Sequence, residues 1–410
     1  MRETLLSGLL RAAMTGLSLL VLGTIVCAEP PAEEGCTAEE GYTVSLFDGK
    51  TLDGWTIEND CQVTVEDGMI VLKEGNGWLR SHHTYADFKL HVEWKALQAT
   101  GYDAGVYVRT HPGGKPFPKR SFQLNMLEGM VGNIGKLPGA ESTGLVHPAG
   151  EWNTFDITVV GNRITLLING KPAYSVDGLT IPSGHIGLQV EVPKGGQFHV
   201  RSVQVTELGA VSLFNGTDLT GWEGAGGPAE SCWTVKDALL QCTGARGPSL
   251  RSTQEYGDFN LRLEYLLAPG ANSGIYTRVP MDGKHHRDNE SQPPAGFEVQ
   301  ILDDAADRYK DLKDYQYTAS VYGIAAASPR VARPAGEWNT LEINCRGPHV
   351  TTMHNGVVVV DATVDTHPSL ALRSLSGFLG IQNHSSVVKF RRLRISPPLP
   401  ELPSPPSTTE

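Results

Sequence analysis

The chain has 410 residues, a formal net charge of −11 and no basic run, which argues against nucleic acid and anionic lipid as partners. It contains 46 glycines and 26 prolines but few runs of helix-forming residues. This composition favours many short strands joined by turns, and it makes a helical protein a poor expectation.

Residues 1–28 predict a secretory signal peptide. Arg2 and Arg11 flank the start of a short apolar run that ends near Ala28, and such a run is too short for a comfortable membrane span. A lipoprotein signal ending at Cys27 is an alternative that the bulky Val26 disfavours. We therefore expect an exported protein, secreted or periplasmic, with no transmembrane segment elsewhere.

The chain repeats itself with a period of about 170 residues, which is far longer than a solenoid repeat. Three segments return in the same order: residues 45–55 as 212–222, 87–94 as 258–265, and 148–154 as 334–340. We predict two tandem domains, residues 41–207 (the first copy) and 209–396 (the second copy). The Pro-rich residues 397–410 lack apolar periodicity and predict a disordered tail or a short spacer.

Alternating apolar and polar residues predict strands throughout both copies. Asn169-Gly170 and Asn355-Gly356 predict two-residue hairpin turns, because both positions tolerate positive φ. Strands with turns every 8–12 residues are typical of a β-sandwich or barrel. The predicted strands are residues 63–72, 155–160, 163–168, 186–190, 259–265, 351–354, 357–360 and 387–395.

Five cysteines remain after removal of the signal, so at least one has no partner within the chain. A tight turn centred on Asp237 would place Cys232 opposite Cys242 on a hairpin, where an exported protein can form a disulfide. Cys36 and Cys61 are a second candidate pair. We expect Cys345, on a strand, to be a buried apolar thiol, and no cysteine spacing indicates a metal cluster.

The second copy carries an ordered set of motifs: residues 272–278, 296–303, 318–322, 336–339, 355–356, 380–384 and 390–395. With the first copy, this set resembles the 3-keto-disaccharide hydrolase family, formerly a domain of unknown function. The resemblance covers nearly all of residues 41–395. It implies an all-β fold, two tandem concanavalin-like or laminarinase-like jelly-roll β-sandwiches, and action on oxidised sugars in exported bacterial proteins.

Three polar stripes in the second copy predict its site, since their polar side chains alternate with apolar neighbours. The stripes are Tyr276 with Arg278, Glu298 with Gln300, and Gln382 with His384. A ketone at C3 of a sugar acidifies the hydrogen on C2, so a base and a charge that stabilises the enolate suffice to expel the oxygen on C1.

The resemblance and this chemistry together assign candidate roles. Glu298 is the expected base, Arg278 the stabiliser of the oxygen anion, and His384 an acid or second base. The expected substrate contacts are Gln300, Tyr276, Gln382, Glu264 and Asn272. Two alternatives stay open: Glu264 as the second carboxylate of an ordinary glycosidase, and Arg278 with Glu298 as a cross-strand ion pair on a solvated sheet face.

The first copy departs from this pattern at the positions that would carry chemistry. Glu298 corresponds to Gln123, which cannot accept a proton at useful pH. Gln300 corresponds to the shorter Asn125, and His384 corresponds to Glu191. We predict a binding or scaffolding role for the first copy, or a reordered site in which Glu191 replaces the base.

The sequence therefore predicts a secreted hydrolase or lyase of 3-keto-glycosides whose second domain is catalytic. The alternative function is a tandem carbohydrate-binding or adhesion module without catalysis. The expected partner is a carbohydrate, either an oxidised sugar or a glycan. No cofactor is predicted, although a divalent metal held by scattered carboxylates and His384 stays open.

Overall fold

The computed structural model describes residues 36–37 (backbone only), 41–285 and 291–400. The predicted signal peptide and residues 401–410 of the predicted tail lie outside these ranges. Residues 397–400 lie against the second copy, where the Leu399 N–H donates to Asn344 Oδ1 at 2.8 Å. No helix within the described ranges is long and apolar enough to cross a bilayer.

The described residues up to 207 form twelve strands, of which the first precedes the first copy, and a short 3₁₀ turn, Val192–Lys194, follows the eleventh. The strands are β1 (Cys36–Thr37), β2 (Gly41–Ser45), β3 (Trp55–Glu66), β4 (Met69–Tyr85), β5 (Phe88–Ala96), β6 (Gly105–His111), β7 (Arg120–Asn125), β8 (Asn153–Val160), β9 (Arg163–Ile168), β10 (Lys171–Asp177), β11 (Gly184–Glu191) and β12 (Phe198–Glu207).

The described part of the second copy contributes thirteen strands, with 3₁₀ turns at Ala229–Ser231, Asp307–Tyr309, Asp314–Gln316 and Pro368–Leu372. The strands are β13 (Val211–Ser212), β14 (Trp222–Gly224), β15 (Trp233–Lys236), β16 (Leu239–Thr243), β17 (Leu250–Tyr256), β18 (Phe259–Leu267), β19 (Asn272–Val279), β20 (Phe297–Leu302), β21 (Trp338–Arg346), β22 (His349–His354), β23 (Val357–Ala362), β24 (Gly377–Ile381) and β25 (Val387–Ser396).

Both copies use the same strand order, so the prediction of an all-β sandwich fold is confirmed. In the second copy one sheet runs β15-β16-β25-β18-β21-β22-β23, with β13 on β25, and the other runs β14-β17-β24-β19-β20. In the first copy the corresponding strands form one curled sheet, β10-β9-β8-β5-β12-β4-β11-β6-β7. The 17-residue β4 joins its two layers, because it pairs with both β12 and β11.

The second copy breaks that long strand into β16 and β17. Between them lie residues 244–249, which include a left-handed Gly244 at φ 84° and Pro248, a residue without an N–H to donate. The two sheets therefore separate, and each presents one face to the core.

Each copy buries its own apolar core, made from the alternating inward side chains of its strands. In the first copy, the indole of Trp94 packs against Phe155 and Phe198 at ring-centroid distances of 5.3 and 5.8 Å. In the second copy, Tyr265 and Phe390 lie directly opposite each other on β18 and β25, and both are fully buried. The sandwiched sheets place Glu298 and Gln300 of β20 on the face away from this core.

The predicted Asn-Gly turns are confirmed. Asn169 and Gly170 have φ values of 53° and 73°, and Asn355 and Gly356 have 46° and 77°, with the flanking strands paired across each turn. The prediction of one strand over residues 63–72 is wrong. Asp67 and Gly68, at φ 49° and 76°, form a hairpin turn there, so β3 ends at Glu66 and β4 begins at Met69.

The predicted Cys232–Cys242 disulfide is wrong because the turn contains two residues, Asp237 and Ala238, instead of one. Cys242 therefore pairs with Trp233, and Cys232 lies one position further along, outside β15. Both thiols are free and buried, and Cys345 is buried as expected. Cys61 also carries a free thiol, whereas the side chain of Cys36 lies outside the described part of the chain.

Buried ion pairs connect the two copies. Glu207 of the first copy accepts from Arg394 at 2.7 Å and lies 2.6 Å from Arg262 of the second, while His83 Nδ1 lies 3.0 Å from Glu342 Oε2. Burial opposes ionisation of Glu342, yet Arg262 and the bond from His83 outweigh it and lower the pKa of that carboxyl. Removing one partner of such a buried pair costs about 3–5 kcal/mol, because it leaves the other charge buried and uncompensated.

Candidate functional site

A cavity of about 180 Å³ lies beside the outer face of the five-stranded sheet in the second copy. It is smaller than the roughly 300–1,000 Å³ pockets that hold drug-sized ligands, which suits one sugar ring. Strands β19 and β20, the end of β24 and the segment after β20 supply its walls. The lining residues are Asn272, His285, Glu298, Gln300, Leu302, Tyr309, Leu312, Gln316, Tyr322, Gln382 and His384.

Strand β20 positions two of the predicted residues through its alternation. Phe297, Val299 and Ile301 enter the core, which leaves Glu298 and Gln300 on the cavity side. The following segment then folds back along the strand, since the Tyr322 N–H donates to the Glu298 carbonyl at 2.8 Å and the Gln300 N–H donates to Ser320. This cover buries both polar side chains at 4% and 5% exposure.

The Glu298 carboxyl is the most perturbed group in the cavity. Burial raises its pKa to about 7, and its Oε1 is buried without a hydrogen-bond donor. The carboxyl lies over Gly274 on the neighbouring strand, where an added Cβ would stand 2.1 Å from Oε1. A glycine is therefore needed for the carboxyl to occupy this place, and the carboxyl is poised to exchange a proton near neutral pH.

Amide side chains supply further oriented groups. The Gln300 Oε1 accepts the Ile301 N–H at 3.0 Å, which leaves its NH₂ group as a donor at the cavity. The Gln382 Nε2 donates to Tyr276 Oη at 2.9 Å, while Gln382 Oε1 and Asn272 Oδ1 are buried without donors. Unpaired buried acceptors are costly, so these oxygens fit a ligand rich in hydroxyl groups.

Two histidines border the cavity. His384 is exposed at its rim. His285 stacks on Tyr276 with ring centroids 4.4 Å apart, and burial lowers the pKa of its imidazole. Tyr276 thus lies behind Gln382 and His285, and it supports residues that line the cavity instead of lining it.

Arg278 does not reach the cavity, which corrects its predicted role. Arg278 has a φ of 52°, and the pairing of β19 with β24 shifts between Tyr276 and Val279. This bulge reverses the alternation and sends the guanidinium to the other side of the sheet. There it donates to the carbonyls of Gly257 and Gly347 and to Asp258 Oδ1, so the alternative Arg278–Glu298 ion pair is wrong as well.

Glu264 is also absent from the cavity. It lies on β18 in the other sheet of the sandwich, where its carboxylate accepts from Arg391 at 2.6 Å and from Arg392 at 2.9 Å. Burial opposes its ionisation, but the two guanidinium groups prevail and lower its pKa to about 2. Glu264 therefore stabilises its sheet as a permanent anion and cannot be the second carboxylate of this cavity.

The sequence reasoning missed the residues that close the cavity: His285, Tyr309, Leu312, Gln316 and Tyr322. Apart from His285, they lie in the segment between β20 and β21, which has no strand alternation to reveal a shared face. A difference in length was the available signal, because residues 303–333 of the second copy stand against residues 128–147 of the first.

In the first copy, the corresponding polar residues bind one another. The Gln123 Nε2 donates to Gln189 Oε1 at 2.5 Å and to Asn125 Oδ1 at 3.1 Å. The Gln189 Nε2 donates in turn to Glu191 Oε2 at 2.6 Å, and Lys194 pairs with Glu191 Oε1 at 2.7 Å. These side chains therefore satisfy each other without a ligand.

The described residues include no group of three or more His, Cys, Asp or Glu side chains placed to hold a metal ion. At the cavity, a divalent cation would find Glu298, His384 and the amide oxygens of Asn272 and Gln382 as donors.

Both copies of the chain match one known protein family. The description "3-keto-alpha-glucoside-1,2-lyase-like domain" matches twice, over residues 42–206 and 209–396. The chain belongs to this family. The resemblance that the motifs carry is therefore confirmed, and the family covers both copies.

Among curated proteins, a 3-keto-disaccharide hydrolase of Bacteroides thetaiotaomicron is 26% identical over 242 residues, which are 49% of this chain and 83% of that protein. Among solved structures, a candidate glycosyl hydrolase from Parabacteroides distasonis is 23% identical and covers 46% of this chain and 94% of its own, with a TM-score of 0.38. A carbohydrate-binding module from Bacillus subtilis is 13% identical and covers 37% and 95%, with a TM-score of 0.32.

Proposed function

We propose that the second copy cleaves 3-keto-glycosides, with Glu298 as the base that removes the proton on C2. The observation that carries this proposal is the Glu298 carboxyl itself. It is buried, lacks a donor on Oε1 and has a pKa of about 7 in a cavity lined by hydrogen-bonding side chains. A general base is most effective when its pKa lies near the working pH.

The proposed reaction begins with the sugar bound in the cavity. Glu298 takes the C2 proton, and the electron pair moves onto the C3 oxygen as an enolate. The Gln300 NH₂ group, which takes over the task predicted for Arg278, donates to this oxygen. Collapse of the enolate breaks the bond from C1 to the glycosidic oxygen, and addition of water across C1 and C2 gives net hydrolysis. His384 at the rim relays protons to solvent.

The carboxylate inventory supports proton abstraction at carbon over ordinary glycoside hydrolysis. Ordinary glycosidases use two carboxyl groups that flank the scissile bond. Among the described residues that line the cavity, Glu298 is the one carboxyl group, and Glu264 is bound to two arginines elsewhere. One carboxyl is sufficient when a ketone makes the adjacent C–H acidic.

The family match and the curated relative, a 3-keto-disaccharide hydrolase, support the choice of substrate class. Residues 41–207 and 209–396 act in this proposal as two domains, of which the first is a scaffold or a binding partner. The signal-like residues 1–28 fit an exported enzyme that meets oxidised glycans outside the cytoplasm.

The purified chain tests this function with α- and β-linked 3-keto-glucosides and the matched unoxidised glucosides. We expect cleavage of keto substrates alone and exchange of the C2 hydrogen in D₂O. Glu298→Gln should reduce both by about 10²–10⁴-fold while the fold is retained. Undiminished turnover in this variant would remove Glu298 from the mechanism. Retention on a glycan affinity gel without product from any substrate would favour the carbohydrate-binding alternative.

A further inference from the structure

The segment that closes the cavity carries a tyrosine whose surroundings fit a proton donor. We propose that Tyr322 protonates the departing glycosidic oxygen and that Gln316 positions its hydroxyl. This role rests on the proposed function, since it completes the elimination that Glu298 begins. It also separates the two half-reactions, proton removal at C2 and bond cleavage at C1, between strand β20 and the segment that covers it.

Backbone hydrogen bonds hold Tyr322 against the strand that carries the base. The Tyr322 N–H donates to the Glu298 carbonyl at 2.8 Å, and the Ala319 N–H donates to the Gln300 carbonyl at 2.8 Å. Val321 is fully buried between these contacts, and the Tyr315 ring lies edge-on to Tyr322 at 5.8 Å. Both side chains, Tyr322 and Glu298, line the same cavity, so they address one bound sugar from fixed places.

Gln316 orients the Tyr322 hydroxyl. The Gln316 Oε1 accepts the Lys313 N–H at 3.1 Å, which fixes the amide, and its Nε2 donates to Tyr322 Oη at 2.7 Å. Because the phenolic oxygen accepts this bond, its own proton points elsewhere.

The hydroxyl groups of two neighbouring tyrosines have other hydrogen-bond partners. The Tyr309 hydroxyl donates to the Gly270 carbonyl at 3.3 Å, and the Tyr276 hydroxyl accepts from Gln382 behind the cavity wall. The shorter segment of the first copy, residues 128–147, contains no tyrosine, which agrees with the closed polar network there. Tyr322 is thus tied to the copy that carries the base.

Cleavage of the C1–O bond conserves atoms and electrons. When the enolate collapses, its electron pair re-forms the C3 carbonyl, the C1–C2 double bond forms and the C1–O bond breaks. The departing oxygen takes the Tyr322 proton and leaves as an alcohol. Solvent then reprotonates the Tyr322 phenolate, and Glu298 releases its proton to solvent. No oxidant or reductant is needed.

The test uses 3-keto-glucosides that differ in the leaving group. In Tyr322→Phe, we expect kcat/KM for a methyl glycoside to fall by about 10²–10⁴-fold, the range for loss of a general acid. For a nitrophenyl glycoside, whose oxygen needs no proton to leave, the fall should stay below about fivefold, and so should the loss of C2 exchange in D₂O. Gln316→Leu should show the same pattern with a smaller fall on the methyl glycoside.

His384→Gln serves as the rival acid variant, and circular dichroism checks that each variant is folded. An equal loss on both glycosides and on exchange would mean that Tyr322 has a structural role, and no loss on the methyl glycoside would exclude it as the acid. Leaving-group dependence in His384→Gln alone would transfer the role to His384. If the unaltered chain neither exchanges C2 hydrogen nor cleaves keto substrates, the proposed function fails and this role falls with it.

Discussion

The two copies place nearly the same strands around Glu298 and around Gln123 but satisfy their polar groups in opposite ways. In the first copy, Gln123 and its neighbours donate to one another in a closed chain that ends at Lys194. Around the cavity of the second copy, three buried oxygens, on Glu298, Asn272 and Gln382, have no donor. The second copy therefore leaves polar groups unpaired where a ligand can bind, and this costs folding free energy. The first copy avoids that cost at the corresponding residues.

Exchanging Glu298 and Gln123 between the copies should have the largest effect on turnover. Glu298→Gln is expected to lower turnover of 3-keto-glucosides by about 10³-fold. Adding Gln123→Glu should recover none of it, because the new carboxyl would face Asn125, Gln189 and Glu191, whose polar groups already bind one another. The measurement is kcat/KM of the single and double variants on the same keto substrate.

Gln123→Glu alone is the control for that exchange, and we expect its turnover to stay within about twofold of the unaltered chain, since Gln123 lies outside the proposed site. Recovery of activity in the double variant would show that the first copy is a latent active site. In that case the closed network would not be what separates the copies.

The buried charge of Glu298 should also appear as a pH-dependent stability. Its pKa is raised from 4.5 to about 7, so the folded state holds the proton that the unfolded state releases. The stability linked to this proton is complete below pH 4.5 and is lost as the pH rises through about 7. A shift of this size corresponds to about 3 kcal/mol.

Glu298→Gln removes the cost of burying a charged carboxylate, because the glutamine side chain is neutral at every pH. Relative to the unaltered chain, the variant should gain about 3 kcal/mol of unfolding free energy between pH 4.5 and pH 8. Urea unfolding at the two pH values measures the change. A difference that is the same at both pH values would mean that the carboxyl is solvated in the folded state.

Two glycines offer a matched pair of smaller perturbations. A Cβ on Gly274 would stand 2.1 Å from Glu298 Oε1, and a Cβ on Gly105 would stand 2.6 Å from Gln123 Nε2. Gly274→Ala should displace the base by about 1 Å and reduce kcat/KM by about 10–10²-fold. Gly105→Ala makes the same change in the first copy and should leave kcat/KM unaltered. Equal effects of the two variants would contradict the division of labour between the copies.

Strand alternation was enough to predict Glu298 and Gln300 on one face of β20, and both line the cavity together with Gln382 and His384, which follow the end of β24. The same rule failed at Arg278, where a bulge with a positive φ reverses the face, and a sequence shows no mark of such a bulge. It failed at Glu264 because alternation does not say which sheet of the sandwich a strand joins. The residues of the covering segment could not be predicted for a third reason. This segment is irregular, so its apolar and polar residues follow no periodic pattern.

The smallest expected effect is a pH dependence of kcat/KM, which distinguishes the ionisable Glu298 from an amide side chain that does not titrate. If Glu298 must be ionised to act, kcat/KM should rise by about tenfold between pH 6 and pH 8 and level off above the pKa of about 7. A carbon-13 NMR titration of labelled glutamates should show a carboxyl with the same midpoint, and that signal should be missing in Glu298→Gln but present in Gln123→Glu. A rate that is constant across this range, or a midpoint that survives in Glu298→Gln, would assign the proton transfer to another group. Gln123 of the first copy does not titrate, so a midpoint that disappears in Glu298→Gln reports on the second copy.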